Sequence, residues 1–246
     1  MCAGLLFVSL FSLAAQSASA QDANRQRELE IFSALMPEFA EIEPLVFQAD
    51  SPAQPVIDRL QQEIGSEPDS QLDQRGLVRR SSLLFLQALV EIFRAEDKRA
   101  ARATLSRARE LAERLVEEYP GALSYRILGD IAAQDMLLYP GWQIVSRAPE
   151  VQGFAEQALE YDPTEAGASM LIAYGRVNAP RLFGGDPEEA REIFAQVLES
   201  SNLMSSQRFS ALVGMAQALE KLDQAEAAEE YRRQARQLFP KHWEFQ

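Results

Sequence analysis

Apolar residues recur every three to four positions along most of the chain, and no run of alternating apolar residues is long enough to read as a strand. Residues 23–40 carry Leu29, Phe32, Leu35 and Met36 at helical spacing with Arg and Glu between them. Pro37 and Pro44 predict an irregular stretch from there to Asp50, since proline lacks an N–H and restricts the residue before it. Ser51-Pro-Ala-Gln54 predicts a capped helix start, and Gly65 its stop. After a polar linker at 66–70, residues 71–95 form the most apolar helix, centred on Leu83-Leu-Phe-Leu-Gln-Ala-Leu-Val-Glu-Ile-Phe93. Apolar nearly all round, it belongs in the core. Arg79, Arg80, Glu91 and Arg94 crowd it too closely for a membrane span.

The second half reads as pairs of helices. Residues 98–119 end before Pro120-Gly121, and residues 122–139 before Pro140-Gly141. Residues 142–161 are expected to break near Pro149, and Asp162-Pro-Thr-Glu165 predicts a cap for the helix over 165–177. Asn178-Ala-Pro-Arg-Leu-Phe-Gly-Gly-Asp-Pro-Glu-Glu-Ala190 is the clearest junction. Pro180 stops one helix, and Gly184-Gly185 allows a tight reversal through positive φ. Asp186, Pro187 and Glu189 then read as a capping box with proline at the first helical position of a helix over 188–200. Helices over 206–222 and 224–239 close the chain at Pro240.

Aligned by their ends, these pairs repeat. Leu111-Ala-Glu-Arg-Leu-Val-Glu-Glu-Tyr-Pro120 corresponds to Phe154-Ala-Glu-Gln-Ala-Leu-Glu-Tyr-Asp-Pro163 and to Tyr231-Arg-Arg-Gln-Ala-Arg-Gln-Leu-Phe-Pro240, with Ile193-Phe-Ala-Gln-Val-Leu-Glu-Ser-Ser-Asn202 between the last two. The intervals are 43, 39 and 38 residues. Ala108, Ala190 and Ala228 let paired helices approach, while Phe194, Tyr231 and Leu238 fill the seams. With Leu128-Gly129 and the unit from Met215 to Pro240, residues 98–240 resemble the tetratricopeptide-repeat (TPR) family, at spacings above that family's roughly 34 residues and with insertions at 140–150 and 178–185. The resemblance implies a TPR-like helical-hairpin solenoid whose concave face binds a protein or peptide. It also admits a second role, a small-ligand component associated with a transporter, as in the T component of TRAP transporters.

The N-terminus adds a compartment. Residues 3–15 are an apolar run followed by Ser17-Ala-Ser-Ala20, the small-residue pattern of a signal-peptide cleavage site. A run of this length is too short to span a bilayer, which takes about 20 residues. No Lys or Arg precedes it, so only the α-amino group marks the charged region. The expected organisation is a signal peptide over 1–20, an N-terminal helical region over 21–96 and repeats over 97–246. The mature chain is expected to be periplasmic or secreted, with no stable membrane span.

Charge changes the picture further. The chain carries −13, which argues against nucleic acid as a partner. Residues 28–73 hold 11 acidic residues against Arg59, while residues 75–126 hold 11 basic and 7 acidic. Either the acidic N-terminal helices pack on the basic middle, or the basic stretch receives an acidic partner.

Catalytic and metal chemistry find no constellation. The single Cys2 lies in the expected leader, and the single His242 is expected at the surface near the C-terminus. A Ser/His/Asp triad or a His-rich zinc site therefore cannot be assembled, and no cofactor is expected. Gly184-Gly185-Asp186 lacks the Lys and Ser/Thr of a phosphate loop. The candidate partner-binding residues are Arg126, Asp130 and Gln134, four apart on one helix face, with Tyr174 and Asn178 on the next inner helix. The alternative for the first three is a solvated face.

Overall fold

The computed structural model describes the backbone of residues 3–245 and the side chains of residues 22–245. The expected signal peptide over 1–20 lies outside the residues whose side chains are described. Among the described residues the chain is all-α, a solenoid of helical hairpins with an N-terminal helical region. The ten helices are α1 (Ala3–Phe47), α2 (Ala53–Ile64), α3 (Gln74–Phe93), α4 (Lys98–Glu118), α5 (Ala122–Met136), α6 (Gly141–Tyr161), α7 (Ala166–Asn178), α8 (Pro187–Glu199), α9 (Ser205–Lys221) and α10 (Ala225–Leu238). None of the described helices is long and apolar enough to cross a membrane.

Local chemistry starts many of these helices. Asp73 accepts a hydrogen bond from the amide of Gly76 at 2.8 Å, and Asp97 accepts from Arg99 and Ala100 at 3.0 and 2.9 Å. Asp186 accepts from Glu188 and Glu189 at 3.1 Å each, with Pro187 in the first turn. Ahead of it, Gly184 takes a left-handed φ of 86°, as the junction requires. The box itself does not close. Glu189 turns to Arg176 at 2.8 Å, and the Asp186 amide donates to the Arg176 carbonyl at 2.9 Å.

Other sequence expectations fail on tertiary grounds. α1 runs through Pro37 and Pro44, and α6 through Pro149. Each proline removes one helical donor, while Leu35, Phe39, Ile42 and Val46 of α1 are buried against the array. Burial of that face outweighs the local defect. Ser51 does not cap α2, whose N-cap is Pro52 without a side-chain bond. Asp162 accepts from the Thr164 amide and hydroxyl, while Glu165 caps α7 by accepting from the Ala168 amide at 2.5 Å.

The hairpins are α3–α4, α5–α6, α7–α8 and α9–α10, and each second helix also packs on the first helix of the next pair. The first helices α3, α5, α7 and α9 also contact one another in sequence, whereas the second helices pack mainly on their own neighbours along the chain. That asymmetry curves the array, with the first helices on the inner side. Gly129 allows part of the close approach, since a Cβ there would meet the Leu171 side chain of α7. The side chain of Phe194 in α8 is fully buried and meets Tyr174 of α7 edge-on at 5.1 Å between centroids.

α1 lies across this inner side, contacting α3, α5 and α9. The acidic N-terminal region does pack on the basic middle. Arg79 bridges Glu38 at 2.6 Å and Glu63 at 3.1 Å; Arg80 and Arg107 meet Asp69 at 2.5 and 3.2 Å. Arg94 donates to the carbonyls of Leu45 and Ser51 at 2.6 and 2.5 Å, fixing the exit of α1. Phe194→Ala should cost about 3–5 kcal/mol by emptying the seam between the third and fourth hairpins, read as a lower urea midpoint at unchanged m-value.

Candidate functional site

A cavity of about 380 Å³, partly open to solvent, lies between α1 and the inner helices. α1 contributes Phe32, Phe39, Glu43 and Phe47, and α3 contributes Phe85 and Phe93 opposite them. The floor is Arg126, Asp130 and Gln134 of α5, with Met170 and Tyr174 of α7. Phe209, Ser210 and Gln217 of α9 and the tail residues His242 and Trp243 complete the wall.

Four of the five candidate residues therefore meet at one place. Their face is not solvated. The side chains of Arg126 and Asp130 are only 14% and 24% exposed, and Arg126 Nη1 donates to Asp130 Oδ2 at 2.7 Å. Arg126 Nε faces Glu165 Oε1 at 3.7 Å, too long for a hydrogen bond. Burial alone would discharge these groups. For Arg126 the carboxylates of Asp130, Glu165 and Glu28 outweigh it, and the guanidinium is held more firmly charged. For Asp130 and Glu165 burial wins over the attraction of Arg126, and both carboxyls titrate above their usual range. Gln134 presents its amide beside them, its Nε2 buried and without a hydrogen-bond partner. The Tyr174 hydroxyl donates to the Ser210 carbonyl at 2.7 Å, and burial pushes it above its usual range. Asn178 lies apart: exposed, it donates from Nδ2 to the carbonyl of Tyr174 at 2.9 Å, one turn back in its own helix.

The α1 side of the site escaped the sequence pattern. Phe32, Phe39, Glu43 and Phe47 share a helix face, yet nothing local says which surface that face covers. Glu43 is 3% exposed and accepts from the Ser206 amide at 3.3 Å and from the Ser206 hydroxyl, at the start of α9. Burial raises its pKa, and Ser206 pulls it only part of the way back. Glu28 sits where a Cβ on Gly121 would be, over the N-terminus of α5. There burial pushes its pKa up to about 7 against the opposing pull of the Leu123, Ser124 and Ala122 amides. Arg25 pairs with Asp162 at 2.9 Å beside the start of α7.

His242 corrects the surface assignment. It is 4% exposed, packed on Phe209 and Trp243 at centroid distances of 4.1 and 4.0 Å, and stacked on Phe47 at 5.8 Å. Its Nδ1 accepts from the Glu244 amide at 3.0 Å, and burial lowers its pKa to about 4, so the ring is neutral at neutral pH. The tail folds inward because the Lys241 carbonyl accepts from the Ala49 amide at 3.0 Å, tying it to the exit of α1. Among the described residues no group of three His, Cys, Asp or Glu side chains is placed to hold a metal ion.

The arrangement is a partly covered, aromatic-walled recess with a fixed polar floor. No protein-family model matches the chain, and no curated protein matches it. The seat of α1 should depend on pH. A pKa of about 7 in the folded state against 4.5 in the unfolded chain means stability that is complete below about pH 4.5 and lost as pH rises through 7. Glu28→Gln should therefore match the parent near pH 4 and gain on it by up to about 3 kcal/mol by pH 8, measured by urea unfolding across that range.

Proposed function

We propose that this protein is a non-catalytic binding protein that holds a small, largely apolar ligand between α1 and the concave face of a TPR-like array, outside the cytoplasm. The observation that carries the proposal is the 380 Å³ cavity, whose size falls in the range of small-ligand sites and whose walls are rich in aromatic side chains. A helix already crosses the inner face, so an extended peptide laid along that face would have to displace it. This supports a small ligand over the peptide-scaffold alternative, in which α1 leaves and a partner takes its place. The polar floor suits orientation of the ligand rather than chemistry on it, since its charged members are engaged with each other. Export rests on the apolar run and small-residue pattern of residues 3–20.

The uncharged dye N-phenyl-1-naphthylamine provides the test. It should bind saturably at one site per chain with a blue-shifted emission. Ser82→Trp, which places an indole into the cavity from α3, should weaken binding at least about ten-fold while unfolding stays cooperative. Unchanged binding in that variant, or dye binding by the parent only where the protein is partly unfolded, would remove the proposal.

A further inference from the structure

The walls and floor also constrain what the ligand carries. Among the described residues Arg126 is the one cationic side chain lining the cavity, and it is committed to Asp130, with Glu165 beyond. His242 is neutral. The carboxyls of Glu43, Asp130 and Glu244 all line the same space. Glu43 stands apart among them: it is almost fully buried, its hydrogen-bond partners are the neutral hydroxyl and amide of Ser206, and it makes no ion pair among the described residues. Phe39, Phe47 and Phe209 line the same cavity, and aromatic faces carry negative quadrupole density. An anion entering here would meet uncompensated carboxylate and no free positive charge. A cation would meet Glu43 and aromatic faces, both of which attract it.

We propose that the cavity takes an organic cation, an amine or quaternary ammonium with an apolar body, whose charged head sits against Glu43 and whose body lies among the aromatic side chains that line the cavity. This rests on the small-ligand reading above. The Arg126–Asp130 pair then serves as a neutral polar floor.

Three probes of similar size separate charge from shape: benzyltrimethylammonium, 3-phenylpropanol and 3-phenylpropionate, each titrated against the full-length protein by isothermal calorimetry. The cation should bind about ten-fold or more tighter than the alcohol, and the carboxylate weaker than either. Glu43→Gln should shrink the cation's preference over the alcohol to within about two-fold, read as the ratio of the two affinities measured on that variant. Should that variant be poorly folded, Phe47→Leu gives an independent readout: it removes one aromatic face, keeps apolar bulk, and should cost the cation more than the alcohol. Equal binding of cation and alcohol, or tighter binding of the carboxylate, overturns the charge assignment and leaves the small-ligand reading standing. Failure of all three, together with failure of the uncharged dye, overturns both.

Discussion

A pair of amphipathic helices cannot bury its own apolar flanks, and the whole molecule follows from how those flanks are covered. Along the array each hairpin covers the next, as Phe194 shows by filling the space between α7 and α9. Across the array the same solution is unavailable, because the first helices α3, α5, α7 and α9 present apolar side chains to the inner side as well. Something must lie there. α1 does, and its Leu35, Phe39, Ile42 and Val46 join one continuous core with α3, α5 and α9. A single helix is narrower than the channel formed by four. The cavity, lined by α1, α3, α5, α7 and α9, is the remainder of covering four helices with one.

Electrostatics fixes where that rod lies. Apolar burial is indifferent to small slides of a helix along a groove, whereas charged pairs are not. Arg79 with Glu38, Arg94 with the last carbonyls of α1, Glu43 with Ser206 and Arg25 with Asp162 set four points of registration along its length. Exposed pairs contribute little to stability, about 0–1 kcal/mol each. Their role is positional, since a displaced α1 would leave Glu43 without a partner and the partly buried Arg79 with Glu63 alone. The opposed charges of residues 28–73 and 75–126 are the compositional trace of this arrangement.

What could be read ahead of the structure was whatever is decided within a turn or two of chain. The cap at Asp186, the reversal at Gly184 and the spacing of Arg126, Asp130 and Gln134 depend on local stereochemistry, and the sequence carries them. The prolines misled because the local rule is correct but small. One missing donor is outweighed where a helix buries a long apolar face, and that burial is set by residues far along the chain. His242 misled for the same reason. Near a terminus it reads as solvated, but a hydrogen bond between Ala49 and Lys241 folds the tail beneath Phe47. Half of the recess was therefore visible, the half on α5 and α7. The other half belongs to α1 and the tail, whose return to the same place is a property of the fold.

These two halves differ in how firmly they are held, and that difference bears on the binding proposed above. Arg126 and Asp130 are one helical turn apart on a single rigid element, and Glu165 caps the adjoining helix, so the floor is assembled before any ligand arrives. Such preorganisation lowers the ordering cost of binding. The roof has a different character. Its near end rests on Glu28, a buried carboxyl whose Oε1 has no hydrogen-bond partner, and its middle on Glu43, whose charge meets only Ser206. Carboxyls buried without an ion pair favour position over stability, because each costs desolvation that its neighbours return only in part. A site with a fixed floor and an electrostatically undercompensated roof can gain from a guest that supplies the missing charge, since the guest then improves the seat of the helix that covers it.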